Sequence, residues 1–177
     1  MARPEHFTIN RNAPLAIGAV FLGLGQQPFS TRFRDEARGN HGTLTDMDPA
    51  TDWVDAVGLG RKAVEWQGGI QKIITASPVA VTGSTTRAAW FNAPAVGRQG
   101  MIDDLNVDGY AEGATFLIRG NGATGVLAYY SAATGWIYGA TVVRTGAWTH
   151  CAIVVNASVG VSFYLDGVLD VLRADTT

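Results

Sequence analysis

The sequence predicts an all-β chain folded as an antiparallel sandwich or barrel. Three observations carry this expectation. Short β-branched and aromatic runs recur along the chain with alternating polarity. Turn pairs separate them, above all Asn121-Gly122 and Asp166-Gly167, whose residues tolerate the positive φ that tight hairpins need. No apolar pattern with a helical period persists over about ten residues. The 22 glycines agree, since an all-β fold needs many tight turns.

Taken in order, residues 1–13 (MARPEHFTINRNA) are polar and aperiodic and read as an N-terminal arm. The domain proper is expected over 14–177. Its first strand is placed at 16–24 (AIGAVFLGL). The apolar stretch 14–24 could imitate a signal peptide, but thirteen residues including Glu5 and His6 precede it and no small-residue cleavage site follows. A buried strand is therefore expected, with no signal peptide and synthesis in the cytoplasm. The stretch is too short to span a membrane. Residues 26–52 have loop composition around a short apolar turn, Gly42-Thr43-Leu44. Strands follow at 61–66 (RKAVEW), 70–74, 79–81 and 85–92 (TTRAAWFN). Residues 93–109 read as irregular. The remaining strands fall at 114–119 (ATFLIR), 125–130 (GVLAYY), 136–143 (WIYGATVV), 148–156 (WTHCAIVVN), 159–165 (VGVSFYL) and 168–172 (VLDVL).

Composition narrows function. Charged residues make up only 16% of the chain while hydrophobic ones make up 47%, which argues against disorder and hints at surface covered in an assembly. Net charge is −2 with no basic cluster, so nucleic acid is not an expected partner. Lys62 and Lys72 are the only lysines, and arginine, the cation favoured in interfaces, carries the remaining positive charge. The single cysteine, Cys151, lies among Ala152, Ile153 and Val154 and is expected to be a buried, inert thiol.

Several segments, in order, resemble the laminin-G-like (concanavalin A-like) jelly-roll family. After the early apolar strand, the segment from Asp35 through Gly39-Asn40 to Gly42-Thr43-Leu44 is similar to the family's D-x-S-G-N-x-x-x-G-x-L loop. Gly60 to Gly68, with Trp66, resembles its G-x-A-h-x-F-x-G strand, where h is apolar. Ala88-Ala89-Trp90-Phe91 resembles the next strand. Most specific are Trp148-Thr149-His150-Cys151-Ala152 and Phe163-Tyr164-Leu165-Asp166-Gly167, which look like the W-x-H-h-A and h-Y-h-D-G signature. The resemblance implies an antiparallel jelly-roll β-sandwich, with Trp66, Trp90, Trp148, Tyr164, Asp166 and Gly167 in structural roles. The family pattern continues with further strands after the D-G hairpin, so residues 168–172 are expected to form an open edge covered by another chain.

Catalysis is not expected. Related glucanases carry carboxylates at E-x-D-x-x-E spacing, which puts them on one strand face; this chain has no such triplet, and Asp103-Asp104 are adjacent and would point to opposite faces of a strand. His6, His41 and His150 show neither metal nor triad spacing. No cofactor is expected, with one opening: Asp35 and Asn40, in an acidic loop with Asp46, Asp48 and Asp52, supply oxygens that calcium could use. Tyr129, Tyr130, Trp136 and Tyr138 cluster on adjacent strands and form a candidate glycan-stacking platform, although Tyr129 and Tyr130 must face opposite ways. Two functions follow as expectations. The first is a non-catalytic structural module that assembles as a homo-oligomer or with virion proteins, such as a capsid decoration protein or a head or tail fibre. The alternative is a glycan-binding, lectin-like adhesion module.

Overall fold

Alternation between apolar and polar side chains drives the second half of the chain into strands with one face to bury. The computed structural model describes residues 29–35, 37–59, 61–65, 72–76, 84–92, 99–102, 115–121, 124–131, 135–156 and 158–174. The arm at 1–13, the strand at 16–24, Trp66, the run at 79–81, Asp103, Asp104 and Gly122 lie outside the described residues. The chain divides into two compact units, Met1–Ala80 and Val81–Thr177.

In the first unit, β1 (Arg32–Phe33), β2 (Gly42–Thr45) and β5 (Lys72–Thr75) form an antiparallel sheet in the order β1-β2-β5, and β3 (Trp53–Ala56) pairs with β4 (Arg61–Val64). Two of these strands, β1 and β2, lie where composition suggested a long loop. Trp53 anchors this unit: its ring stacks on Phe33 with centroids 6.0 Å apart, and its indole N–H donates to the Ser30 carbonyl at 2.9 Å. Gly42 permits the close approach of β2 and β5, because a Cβ there would lie 2.3 Å from the Ile73 side chain.

The second unit is a β-sandwich. One sheet contains β7 (Gln99–Ile102), β8 (Thr115–Asn121), β9 (Thr124–Ser131) and β10 (Gly135–Val142), in the order β10-β9-β8-β7. The other contains β6 (Thr85–Phe91), β11 (Thr149–Asn156), β12 (Gly160–Leu165) and β13 (Val168–Arg173), in the order β13-β12-β11-β6. All pairings are antiparallel. The core lies between the sheets. Leu127 and Tyr129 from the first sheet meet Cys151, Ile153, Val161 and Phe163 from the second, with Val143 beside them. Register makes this possible: Cys151 stands opposite Leu165, Ile153 opposite Phe163 and Val155 opposite Val161, so the inward face of β11 and β12 is apolar over these three pairs. Burial of Cys151 pushes its thiol pKa up to about 12, with the charge of Asp166 adding to the rise.

Candidate functional site

Four aromatic residues of β9 and β10 are divided by the strand alternation. Tyr129 stands opposite Ile137, turns inward and is 6% exposed. Tyr130 stands opposite Trp136, and both point to the other face with Tyr138, two residues along the same strand. These three are half-buried and form a row. Tyr130 and Trp136 have ring centroids 5.0 Å apart at 53°, and Trp136 and Tyr138 are 6.3 Å apart at 23°. Contacts of this kind contribute about 0.5–1.5 kcal/mol each beyond area burial. Of the four aromatic residues singled out, Tyr130, Trp136 and Tyr138 thus share the outer face, while Tyr129 is a core residue because its neighbour faces out.

The Tyr138 end of the row is set by residues some thirty positions later. The β9–β10 register shifts between Tyr138 and Val142, and the β12–β13 register shifts at Phe163/Tyr164, leaving Asp170 without a cross-strand partner. Its carboxylate accepts the backbone N–H of Ala140 at 2.7 Å and of Thr141 at 3.0 Å. Gly139 makes room, since a Cβ there would lie 2.8 Å from Asp170 Oδ2. Arg173 Nε donates to the Tyr138 carbonyl at 3.2 Å. Burial raises the Asp170 pKa, but the hydrogen bonds from Thr141 and Ala140 and the charge of Arg173 outweigh it and hold the carboxyl below its ordinary value. Asp170 and Arg173 therefore fix the backbone that carries Tyr138. Nothing local in the sequence marks them.

The signature residues occupy the opposite sheet and its last turn. Asp166 and Gly167 both have positive φ, 51° and 80°, as the type I′ hairpin between β12 and β13 requires. Asp166 does more than turn the chain. Its N–H donates to the His150 carbonyl at 2.8 Å, its Oδ1 accepts the His150 N–H at 2.9 Å, and its Oδ2 pairs with Arg144. The spaced tryptophan–histidine and Asp-Gly motifs are thus parts of one hydrogen-bonded unit. Tyr164 is half-buried on the outward face of β12. Trp148 is half-buried and immediately precedes β11 rather than lying within it. Trp90 is 53% exposed and tilts against His150 at 5.3 Å, so it covers a neighbour on the outer face instead of filling the core.

The edge expected at 168–172 is partly held. Asp170 and Arg173 tie β13 to β10, and Val171 packs on the core. Val168, Leu169 and Leu172 nevertheless remain 70%, 52% and 48% exposed.

In the acidic loop the best-defined residue is Asp35. Asp35 is 2% exposed, and its Oδ1 accepts the Ala37 N–H while its Oδ2 accepts those of Arg38 and Asn40. The Asp35 N–H donates to His41 Nδ1. Asn40 enters through its backbone. This carboxylate organises a turn, as Asx residues do, with its oxygens accepting three backbone N–H groups. Among the described residues, no group of three or more His, Cys, Asp or Glu is placed to hold a metal ion.

Comparison with known proteins agrees with the sandwich. No curated protein and no solved structure matches the chain. A family model for laminin-G-like domains, described as the concanavalin A-like lectin/glucanases superfamily, matches residues 67–177, a span that contains the whole two-sheet sandwich and the His150–Asp166 unit. With well over half of its length matched and its strands paired as an antiparallel sandwich, the chain belongs to the concanavalin A-like lectin/glucanases superfamily.

Proposed function

We propose that this chain is a non-catalytic, lectin-like module that binds carbohydrate on the outer face of β9 and β10. The observation that carries the reading is the row Tyr130–Trp136–Tyr138. Sugar rings present flat C–H faces, and aromatic rings take such faces from water at low conformational cost. Membership of a superfamily that includes lectins supports the reading without proving it, because one fold hosts many functions. The glucanase alternative lacks support in the sequence, which has no E-x-D-x-x-E triplet. The test is affinity electrophoresis of the full chain through gels carrying soluble polysaccharides. Retardation that Trp136→Ala abolishes supports the proposal; equal mobility of both proteins in every gel refutes it.

A second reading, as an assembly module such as a capsid decoration protein or a head or tail fibre of a virion, is favoured by a separate observation. Leu169 and Leu172 stand exposed on the outer face of a sheet's edge strand, with exposed Val168 beside the turn, the kind of edge that invites pairing. On this reading the protein is made in the cytoplasm and incorporated into a particle as a homo-oligomer or with other virion proteins. Light scattering of the wild-type chain and of Leu169→Lys distinguishes it. Loss of an oligomer in the variant supports assembly through this edge, and a wild-type monomer at high concentration rules it out.

A further inference from the structure

We infer that this chain associates with a second copy of itself, the outer faces of the two β13-β12-β11-β6 sheets stacking on one another. The inference rests on the assembly reading and deepens it: it names the partner and moves the contact from the strand edge to the sheet face.

Register defines that face. Cys151, Ile153 and Phe163 point into the core, so alternate residues of the same strands point out. Two rows cross the sheet in the order β6, β11, β12, β13. One runs Ala88, Ala152, Tyr164, Leu169, and the other Thr86, Val154, Ser162, Leu172. No Asp, Glu, Lys or Arg stands in either row. Trp90 continues the β6 side and is 53% exposed, and Leu169 and Leu172 are exposed on the β13 side. An uncharged face with exposed tryptophan and leucine has the composition of the centre of a protein interface.

The shape of the rows selects the occupant. The first row is low on β6 and β11, where it holds alanines, and high on β12 and β13, where it holds Tyr164 and Leu169. A two-fold axis parallel to the strands, between β11 and β12, lays β6 of one copy on β13 of the other and β11 on β12. Ala88 then meets Leu169 of the partner subunit, and Ala152 meets Tyr164 of the partner subunit. In the second row Thr86 meets Leu172 of the partner subunit, and Val154 meets Ser162 of the partner subunit. Every contact joins a larger side chain to a smaller one, which is how two packed sheets interdigitate across about 10 Å. No like charges meet, and the chain as a whole carries only −2.

The edge of β13 is the poorer seat. Asp170 and Arg173 already reach from it to β10, and the β12–β13 register is interrupted at Phe163/Tyr164. A strand adding there would displace both side chains. The size of the face sets the strength of the dimer. Four strands about 4.8 Å apart and about six residues tall cover about 400 Å² in plan. Two copies contribute about 800 Å² before side-chain relief is counted, the low end for specific interfaces, so dimer and monomer exchange at micromolar concentrations. The Tyr130–Trp136–Tyr138 row belongs to the other sheet and stays uncovered.

The experiment uses the full chain. Sedimentation equilibrium from about 5 to about 500 μM should show a reversible monomer–dimer equilibrium. Ala88→Glu and Thr86→Glu each put a carboxylate into the face, far from the β13 edge, and each should weaken dimerisation at least about tenfold. Both positions are exposed in the single copy, so the denaturation midpoint should stay in place. Trp136→Ala should leave association unchanged. Cross-linking reads the register: the double variant Ala88→Cys, Leu169→Cys should give a covalent dimer with a short bismaleimide, and each single variant far less. Cys151 is buried and does not compete. Association lost in Leu169→Lys but indifferent to both glutamates, or cross-linking no better in the double variant than in the singles, would overturn the stacked face and leave assembly through β13 standing. A monomer throughout the concentration range would overturn both.

Discussion

Tyr129 and Tyr130 are adjacent, chemically identical and fated differently. Tyr129 lies among Leu127, Cys151, Ile153 and Phe163 between the two sheets, while Tyr130 stands half-exposed against Trp136. One peptide unit separates a residue that holds the sandwich together from one that stands on the outer face. The strand alternation produces both from one dipeptide, so stability and recognition can be varied separately in a single strand. The largest expected effects test this separation. Tyr129→Ala should cost about 3–5 kcal/mol of stability, as truncation of a buried aromatic does. Tyr130→Ala should cost roughly 0.5–1.5 kcal/mol, the worth of an exposed aromatic pair, and should instead weaken glycan retention. Denaturant melts and affinity gels on both variants decide it. Equal loss of stability in the two would erase the distinction between the faces.

The core side can be sharpened by pH. Cys151 ionises near 9.0 when unfolded, but burial first, and the charge of Asp166 second, push it up to about 12 in the fold. Between those values the unfolded chain has lost the proton and the folded chain has kept it. Stability contributed by the neutral buried thiol is therefore complete below about pH 9 and declines as pH rises toward 12, by at most about 1.4 kcal/mol per unit. The informative quantity is the difference from Cys151→Ala, whose alkaline slope should be shallower. Identical slopes would mean that the thiol is accessible in the fold.

The outward side has its own anchor. Asp170→Ala leaves the N–H groups of Ala140 and Thr141 without their carboxylate and frees the β10 backbone next to Tyr138. The expected loss is about 1–2 kcal/mol, because hydrogen bonds to a charged group are stronger than average but this one is screened by solvent. Since the Asp170 carboxyl is held below its ordinary value, this contribution is present above the usual carboxylate range and disappears as pH falls through the lowered value. Glycan affinity should drop along with it. Unchanged affinity would show that Tyr138 needs no such support.

Much of this was legible in the sequence, and the exceptions have a common cause. Alternation located β9 to β12 and showed that Tyr129 and Tyr130 face apart; Asp166-Gly167 announced its hairpin. What stayed hidden depends on distant partners. Residues 93–109 read as irregular, yet Gln99–Ile102 is a strand because β8 pairs with it. Trp53–Ala56 is too short to show a period and owes its strand to β4. The polar composition around Asp35 marked a loop but not that three N–H groups converge on its carboxylate. On the outer face, the aromatic cluster was visible while its anchor was not, since Gly139 and Asp170 meet only after β13 folds back beside β10. Local pattern encodes which face a residue occupies. It does not encode which bulge in one sheet answers a bulge in the other.

The smallest effect probes an exception within the buried face itself. Thr149 is 2% exposed and shares the inward side of β11 with Cys151 and Ile153, opposite Phe91. Among the described residues, no hydrogen-bond partner reaches its hydroxyl. A buried hydroxyl without a partner has given up water and received nothing in return, whereas a methyl group in the same place has no such loss. Thr149→Val keeps the branched shape and the strand preference and removes only the polar atom. It should raise stability by about 1 kcal/mol, measured as a higher denaturation midpoint with an unchanged denaturant slope. Glycan retention should not move, because Thr149 faces the core and the aromatic row faces away from it. If the valine variant is instead destabilised, the hydroxyl is bonded in solution, and the inward face is less purely apolar than the division between Tyr129 and Tyr130 implies.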